Sequence, residues 1–194
     1  MTEKKKRTLQ LAFLALLIIG TIMIIRHQRN MPYQQNTGMI FGTVYHITYQ
    51  YDENLEKEIL AELTKVDQSL SPFNAPSIIS QINRNESDVK TNEMFLSVVQ
   101  LAQQISKETD GAFDITVAPL VNLWGFGFKK EQTPSKEIVD SILAITGYEK
   151  INITNGKVIK PDQRIMLDCS AIAKGYGCDV VAHFLKKRTS RTLW

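Results

Sequence analysis

An uncharged, apolar run over residues 8–25 is the feature that most constrains what this chain can fold into. It lies at the short end of the roughly 20 residues that a helix needs to cross the hydrocarbon of a bilayer. Cations fill residues 4–7, and Arg26 and Arg29 follow the run closely. The larger cluster before the run favours the amino end in the cytoplasm and the remainder outside. A cleaved signal peptide is the alternative, but no small-residue cleavage site follows the run, which favours an uncleaved anchor.

The rest of the chain has the composition of a folded domain. Of its 194 residues, 43% are hydrophobic and 22% are charged, which suits a packed core with a charged surface. The formal net charge of +3 argues against nucleic-acid binding. We divide the chain into a cytoplasmic stub with a membrane segment at residues 1–29, a linker at 30–38, a domain at 39–188 and an aberrant tail at 189–194.

Periodicity predicts a mixture of strands and helices in the domain. Residues 41–49 alternate like a strand, and residues 53–70 have the apolar spacing of a helix capped by Asp52. Three further helices are predicted: one at about 92–107 with Asn92 as its cap, one at 135–146 that buries Ile138, Ile142 and Ile145, and one at 170–187. Residues 150–160 predict a hairpin that turns at Asn155 and Gly156, and residues 164–167 predict a short strand. Without a βαβ rhythm, this order predicts an α+β fold with an antiparallel-rich sheet.

Cysteines and histidines exclude two common classes of site. Cys169 and Cys178 lack metal-binding spacing, which argues against structural zinc. A disulfide between them is possible in an exported protein, but we expect two small buried side chains. The three scattered histidines do not assemble a Ser-His-Asp triad or a histidine metal site.

The segment at residues 108–128 has helix-sized apolar content but is interrupted by Gly111, Pro119, Gly125 and Gly127. These residues break long helices and central strands, so the segment must be a series of short elements.

Two interpretations stay open for its polar and aromatic residues. Asp110 and Asp114 are suited to turns and caps or to ligand binding, and the aromatic residues are suited to a core, a lid or stacking on a planar ring. Those aromatic residues are Phe113, Trp124, Phe126 and Phe128.

A second candidate site lies at residues 167–179, where an apolar strand ends at Asp168 and Lys174 follows one turn into the next helix. Small residues between them would let a phosphate approach the helix start, where free N–H groups and the positive dipole end favour anions. The equally weighted alternative is a helix cap by Asp168 or Ser170.

Four stretches then point to one family. They are FGTVYHITY at 41–49, LSPF at 70–73, TDGAFDITVAPLVNLWGFG at 109–127 and LDCSAIAKGYGCD at 167–179. In order and spacing they resemble motifs of the ApbE-type flavin transferases, enzymes that move FMN from FAD onto a threonine of a target protein. The resemblance covers residues 38–188 and about half of a family member. Position 41 departs from the family, which usually has Met there.

The resemblance implies a set of functional residues. FAD would be contacted by Phe41, Phe73, Ala112, Phe113, Asp114, Asp168 and Lys174, and the backbone carbonyl of Ala171 would bind Mg²⁺. It also implies a flavin-accepting partner, expected to be a subunit of a membrane redox complex. The charges around the apolar run predict that the domain faces the periplasm or cell exterior.

In the family the other Mg²⁺ ligands, an Asp and a Thr or Ser, come from the carboxy-terminal half, where we also expect the catalytic residues. We therefore expect this chain to be a truncated or frame-shifted member whose activity is in question. The alternative is a non-catalytic, flavin-binding or degenerate membrane-anchored fragment.

Overall fold

The computed structural model describes residues 3–29, 31–126 and 133–189. The helices are α1 (Glu3–Arg29), α2 (Glu56–Leu70), α3 (Ile78–Asn83), α4 (Glu93–Glu108), α5 (Ala118–Leu123), α6 (Lys136–Leu143) and α7 (Ser170–Thr189), with 3-10 turns at Ile115–Val117 and Tyr148–Lys150. The strands are β1 (Tyr33–Ile40), β2 (Thr43–Gln50), β3 (Asn152–Thr154) and β4 (Lys157–Ile159). They form two separate two-stranded antiparallel sheets, and the fold is α+β as predicted.

Helix α1 contains the apolar run. Within its segment Lys5–Arg26, an 18-residue window has a mean hydropathy of 2.5, and none of that window is buried inside the protein. By length and composition it is able to cross a bilayer, and a signal sequence has the same properties.

Strand β1 corrects the prediction of a linker at residues 30–38. It pairs with β2 along its whole length, from Tyr33 opposite Gln50 to Ile40 opposite Thr43. The polar composition of β1 hides the strand because backbone hydrogen bonds to β2, rather than burial of an apolar face, hold it in place. On β2 the predicted alternation is confirmed, and Tyr49 is its most buried residue.

Helix α2 joins this hairpin to α7. Its inner face buries Ile59 and Leu63 beside Val181 and Leu185 of α7. The helix begins at Glu56, whose N–H donates to Oδ1 of Asn54 at 2.9 Å, so the predicted cap at Asp52 is wrong.

The main core lies where α2, α3 and α4 meet the start of α7. Its most buried members are Val66, Leu70, Ile79, Phe95, Val98, Val99, Ala102, Ile115, Ile151, Ile165, Leu167 and Cys169. Helix α4 begins as predicted, because Oδ1 of Asn92 accepts a hydrogen bond from the N–H of Phe95 at 2.9 Å.

The hairpin β3–β4 is also confirmed, with positive φ at both Asn155 (50°) and Gly156 (73°). In contrast, the strand predicted at residues 164–167 is wrong: Arg164 lies in a turn, and residues 165–167 are in neither a strand nor a helix. Ile142 on α6 and Ile145 just after it contact the core, whereas Ile138 is 48% exposed, which corrects the prediction that all three are buried.

Candidate functional site

The site begins at the turn between β1 and β2. Phe41 and Gly42 are the two turn residues, with φ of 54° and 70°, so Phe41 lies in the turn rather than on the predicted strand. A bulky residue is uncommon in this left-handed conformation. The Phe41 ring packs against both core clusters and is therefore held between the hairpin and the helical core.

Helix α7 accommodates this ring at Gly177. A Cβ atom built on Gly177 would lie 2.9 Å from Cε2 of Phe41, closer than carbon atoms pack. The glycine is therefore required for the ring to lie against the helix. The equally small Gly175, on the same helix, has no neighbour within 4 Å of such a Cβ.

The start of α7 is organised by Asp168. Its Oδ1 accepts a hydrogen bond from the N–H of Ser170 at 2.7 Å, and its other carboxylate oxygen has no hydrogen bond among the described residues. Asp168 is thus a helix cap that also places a negative charge at the positive end of the helix dipole. One turn further along the helix, Nζ of Lys174 donates to the carbonyl of Ser170 at 3.1 Å.

Three of the predicted FAD-contacting residues meet in a cleft beside this helix start. Phe41, Phe73 and Lys174 line a cavity of about 60 Å³, and Phe73 is 59% exposed. The remaining lining residues are Leu70, Ser71, Pro72, Ser170 and Ala173. A larger open groove of about 490 Å³, between β2 and α7, is also lined by Phe41 and Lys174. The two cavities therefore adjoin along these two side chains.

The interrupted segment begins with a turn at Asp110 and Gly111, both at positive φ, and continues into a 3-10 turn and α5. Asp114 caps the 3-10 turn, since its Oδ1 accepts from both the N–H and Oγ1 of Thr116 at 2.7 Å. The carbonyl of Ile115 accepts from the N–H of Asp168 at 2.7 Å. This bond ties the segment to the start of α7.

The structure does not bring every predicted residue to the cleft. Asp114 and Asp168 are linked through Ile115 but are not among the lining residues. Phe113 packs against the main core, and Ala112 is exposed in the turn. Trp124 and Phe126 are exposed as well, whereas Phe128 lies outside the described residues.

Ala171 is the second residue of α7 and is exposed. Across the described ranges, no group of three or more His, Cys, Asp and Glu side chains is placed to hold a metal ion. Within the described residues, the carbonyl of Ala171 is therefore not joined by a cluster of metal-binding side chains.

The two cysteines differ, and neither forms a disulfide. Cys169 is buried as predicted, and burial, with a smaller contribution from the Asp168 carboxylate, raises the pKa of its thiol to about 12. Cys178 is exposed, which corrects the prediction that both are buried. It is one of the residues that line the groove between β2 and α7.

One residue of this region escaped the sequence analysis. Asn83, the last residue of α3, hydrogen bonds through its carboxamide to the backbone of Leu167. Ser77, whose Oγ caps α3, and the apolar Ile78, Ile79 and Ile82 are the signal that could have revealed a short helix ending at Asn83. Nothing in the sequence marks Leu167 as its partner, 84 residues away.

Comparison with known proteins identifies relatives of this chain. A family model described as the ApbE family matches residues 41–193. A FAD:protein FMN transferase of Vibrio cholerae is 35% identical over 162 residues, which cover 78% of this chain and 48% of that protein. The Haemophilus influenzae FAD:protein FMN transferase is 34% identical, again over 78% of this chain and 48% of the relative. The chain thus spans about half the length of the curated relatives it matches.

Solved structures agree with these matches. The flavin transferase ApbE from Vibrio cholerae superposes with a TM-score of 0.75 at 34% identity, over 81% of this chain and 54% of that one. The flavinyl transferase ApbE of Pseudomonas stutzeri gives a TM-score of 0.72 at 30% identity, over 81% of this chain and 54% of that one. From the family match over most of its length and the agreement in fold, we conclude that the chain belongs to the ApbE family.

Proposed function

We propose that this chain carries the FAD-binding part of an FAD:protein FMN transferase, which moves FMN from FAD onto a threonine of a target protein. One observation carries the proposal. Phe41, Phe73 and Lys174 are far apart in the sequence, yet they line one cleft at the start of α7 in a chain of the ApbE family.

The chemistry of the cleft suits a flavin nucleotide. Phe41 and Phe73 offer aromatic faces for a planar ring system, and the ammonium of Lys174 offsets phosphate charge. The carboxylate oxygen of Asp168 that the helix cap leaves unused is able to accept a hydrogen bond from a ribose hydroxyl or a ring N–H. The adjoining groove of about 490 Å³ gives the larger volume that a dinucleotide requires.

In the proposed reaction the threonine oxygen bonds to the phosphorus of the FMN moiety, the pyrophosphate bond breaks, AMP leaves, and the hydroxyl proton is released to solvent. Mg²⁺, when bound, would supply neutralisation of the charge that develops as this phosphoanhydride is cut. Among the described residues, the carbonyl of Ala171 is the one group that we propose as a ligand of this ion. The role of this chain's own residues is therefore to bind and orient FAD.

A second candidate function is FAD binding without transfer. It is favoured because the described residues contain no group of three or more His, Cys, Asp and Glu side chains that could bind a metal ion. Both candidates require an FAD site, and they differ in whether flavin becomes covalently attached to another protein.

One assay separates the two candidates. The full chain is incubated in detergent with FAD, Mg²⁺ and a flavin-accepting protein, and the acceptor is inspected for covalent flavin fluorescence after denaturing electrophoresis. The Vibrio cholerae transferase serves as positive control. Fluorescent acceptor with this chain supports the transferase, whereas FAD binding with no labelled acceptor supports the second candidate. Lack of both would contradict the proposal.

We further propose that α1 anchors the protein in a bacterial plasma membrane with the domain on the outer side, where the acceptor would be a subunit of a membrane redox complex. The apolar run at residues 8–25 and the cations at residues 4–7 before it support this orientation. Cells expressing the chain should retain it in membranes after alkaline carbonate washing, and protease should digest the domain only from the outer side. Release by carbonate or protection of the domain would refute the anchor or its orientation.

A further inference from the structure

The carboxamide of Asn83 forms a paired contact with the backbone of one residue. Its Nδ2 donates to the carbonyl of Leu167 at 2.8 Å, and its Oδ1 accepts from the N–H of Leu167 at 2.7 Å. Together these bonds reproduce the hydrogen bonds of a residue pair in a β-sheet. They satisfy the backbone groups of Leu167, which belongs to no strand or helix.

This contact matters because of its position in the chain. Leu167 is fully buried, so its backbone groups need partners inside the protein. The next residue, Asp168, donates its N–H to Ile115 and receives the N–H of Ser170 on its Oδ1. Asn83 thus holds the backbone immediately before the carboxylate that caps α7.

A second polar contact lies further from Asp168. Nζ of Lys160 donates to the carbonyls of Ile82 and Ile165 at 2.8 and 2.9 Å. Nδ2 of the exposed Asn85 donates to the carbonyl of Gln163 at 3.0 Å. These hydrogen bonds reach Gln163, Ile165 and Leu167, and of the three side chains named, only Asn83 contacts the residue immediately before Asp168.

We propose that Asn83 is a positioning residue of the flavin site, which fixes the backbone at Leu167 so that the Asp168 carboxylate faces the nucleotide. This role rests on the proposed FAD binding. Asparagine suits it because a carboxamide carries one donor group and one acceptor group at the spacing of a peptide. Aspartate keeps only the acceptor, and alanine has neither group.

A double-mutant cycle on the full chain tests this role. FAD affinity is measured by fluorescence titration for the unsubstituted chain, Asn83→Ala, Asp168→Ala and the double variant. We expect Asn83→Ala to bind FAD about tenfold more weakly, from the loss of two partly buried hydrogen bonds. If Asn83 acts through Asp168, the double variant should bind as weakly as Asp168→Ala alone.

Two further variants separate positioning from general stability. Asn85→Gly removes the bond to Gln163, and glycine tolerates the positive φ of 57° at that position, so FAD affinity should stay unchanged. Asn83→Asp keeps the acceptor for Leu167 and serves if the alanine variant does not fold. Circular dichroism at the titration temperature verifies folding of each protein.

The outcomes are distinct for the two proposals. Unchanged affinity in both Asn83→Ala and Asn83→Asp, or additive losses in the cycle, would overturn the positioning role and leave FAD binding intact. No saturable FAD binding by the unsubstituted chain would overturn the proposed function and this role with it. In that case, faster amide exchange at Leu167 in Asn83→Ala would assign the contact to the fold alone.

Discussion

At the scale of single residues, we expect alanine substitutions at two glycines of α7 to have opposite effects on stability. Gly177 is buried and faces Phe41, whereas Gly175 is exposed and has open space where a Cβ would lie. Alanine stabilises a helix relative to glycine by about 0.5–1 kcal/mol where nothing obstructs it. The two positions therefore form a matched pair within one helix.

We predict that Gly175→Ala raises the free energy of unfolding by about 0.5–1 kcal/mol. Gly177→Ala should lower it by about 1–3 kcal/mol, because the added methyl group overpacks the ring of Phe41. Urea denaturation of the full chain in detergent, followed by circular dichroism of the domain, measures both. An equal gain in stability for the two variants would show that Phe41 does not lie against Gly177.

The two cysteines also differ in their exposure to solvent, and we therefore expect them to differ in reactivity. Burial raises the pKa of the Cys169 thiol to about 12 and keeps reagents from it, whereas Cys178 is exposed. At about pH 8 a thiol-reactive dye should therefore label one cysteine per folded chain and two in denaturant. Mass spectrometry should locate the native label on Cys178. Rapid native labelling of Cys169 would contradict its place in the core.

The thiol of Cys169 should also make the stability of the protein depend on pH in the alkaline range. Because the pKa of Cys169 is raised by folding, its contribution to stability is complete below its ordinary pKa of 9.0 and is lost as pH rises towards about 12. Above pH 9 the unfolded chain releases this proton before the folded chain does. Cys169→Ala should therefore lose less stability than the unsubstituted chain over this range. Equal losses would show that this thiol does not titrate differently in the two states.

At the scale of elements, the start of α7 separates capping from ligand binding. Asp168→Asn keeps an oxygen that can accept from the N–H of Ser170, whereas Asp168→Ala removes it. Loss of the cap should cost about 1 kcal/mol of stability in the alanine variant, and the asparagine variant should cost less.

Affinity for FAD should follow a different order from stability. If Asp168 accepts a hydrogen bond from the nucleotide with its second oxygen, both variants should bind FAD more weakly, since a charged acceptor forms the stronger bond. Thermal melts and FAD titrations of the two variants test this. If FAD affinity fell only in the variant that lost stability, Asp168 would act as a helix cap and not as a ligand of FAD.

How far the sequence predicts these elements depends on where their hydrogen bonds go. Asn92 and the turn at Asn155 and Gly156 were predictable because their partners are local in the chain. Strand β1 was not, because its polar residues carry no alternation and only its pairing with β2 makes it a strand. The same holds for Asn83, whose partner at Leu167 is distant.

At the scale of the whole molecule, the order of predicted strands and helices indicated the α+β class, which the structure confirms. The motifs indicated the family, which the comparisons with known proteins confirm. Helix periodicity predicted α2, α4 and α7 because their apolar faces contribute to the core. The arrangement of Phe41, Phe73 and Lys174 around one cleft required the tertiary structure. Motif order alone does not say which residues of different elements become neighbours.

Titration of the full chain with FAD, followed by flavin fluorescence, tests the central claim most directly. The cleft predicts saturable binding that weakens about tenfold in Lys174→Ala through loss of the charge opposite phosphate, and that weakens in Phe41→Ala through loss of an aromatic face. Asn85→Gly, remote from the cleft, should bind like the unsubstituted chain. A folded chain that shows no saturable change with FAD, or one whose binding is indifferent to Lys174 and Phe41, would contradict a flavin site at the start of α7.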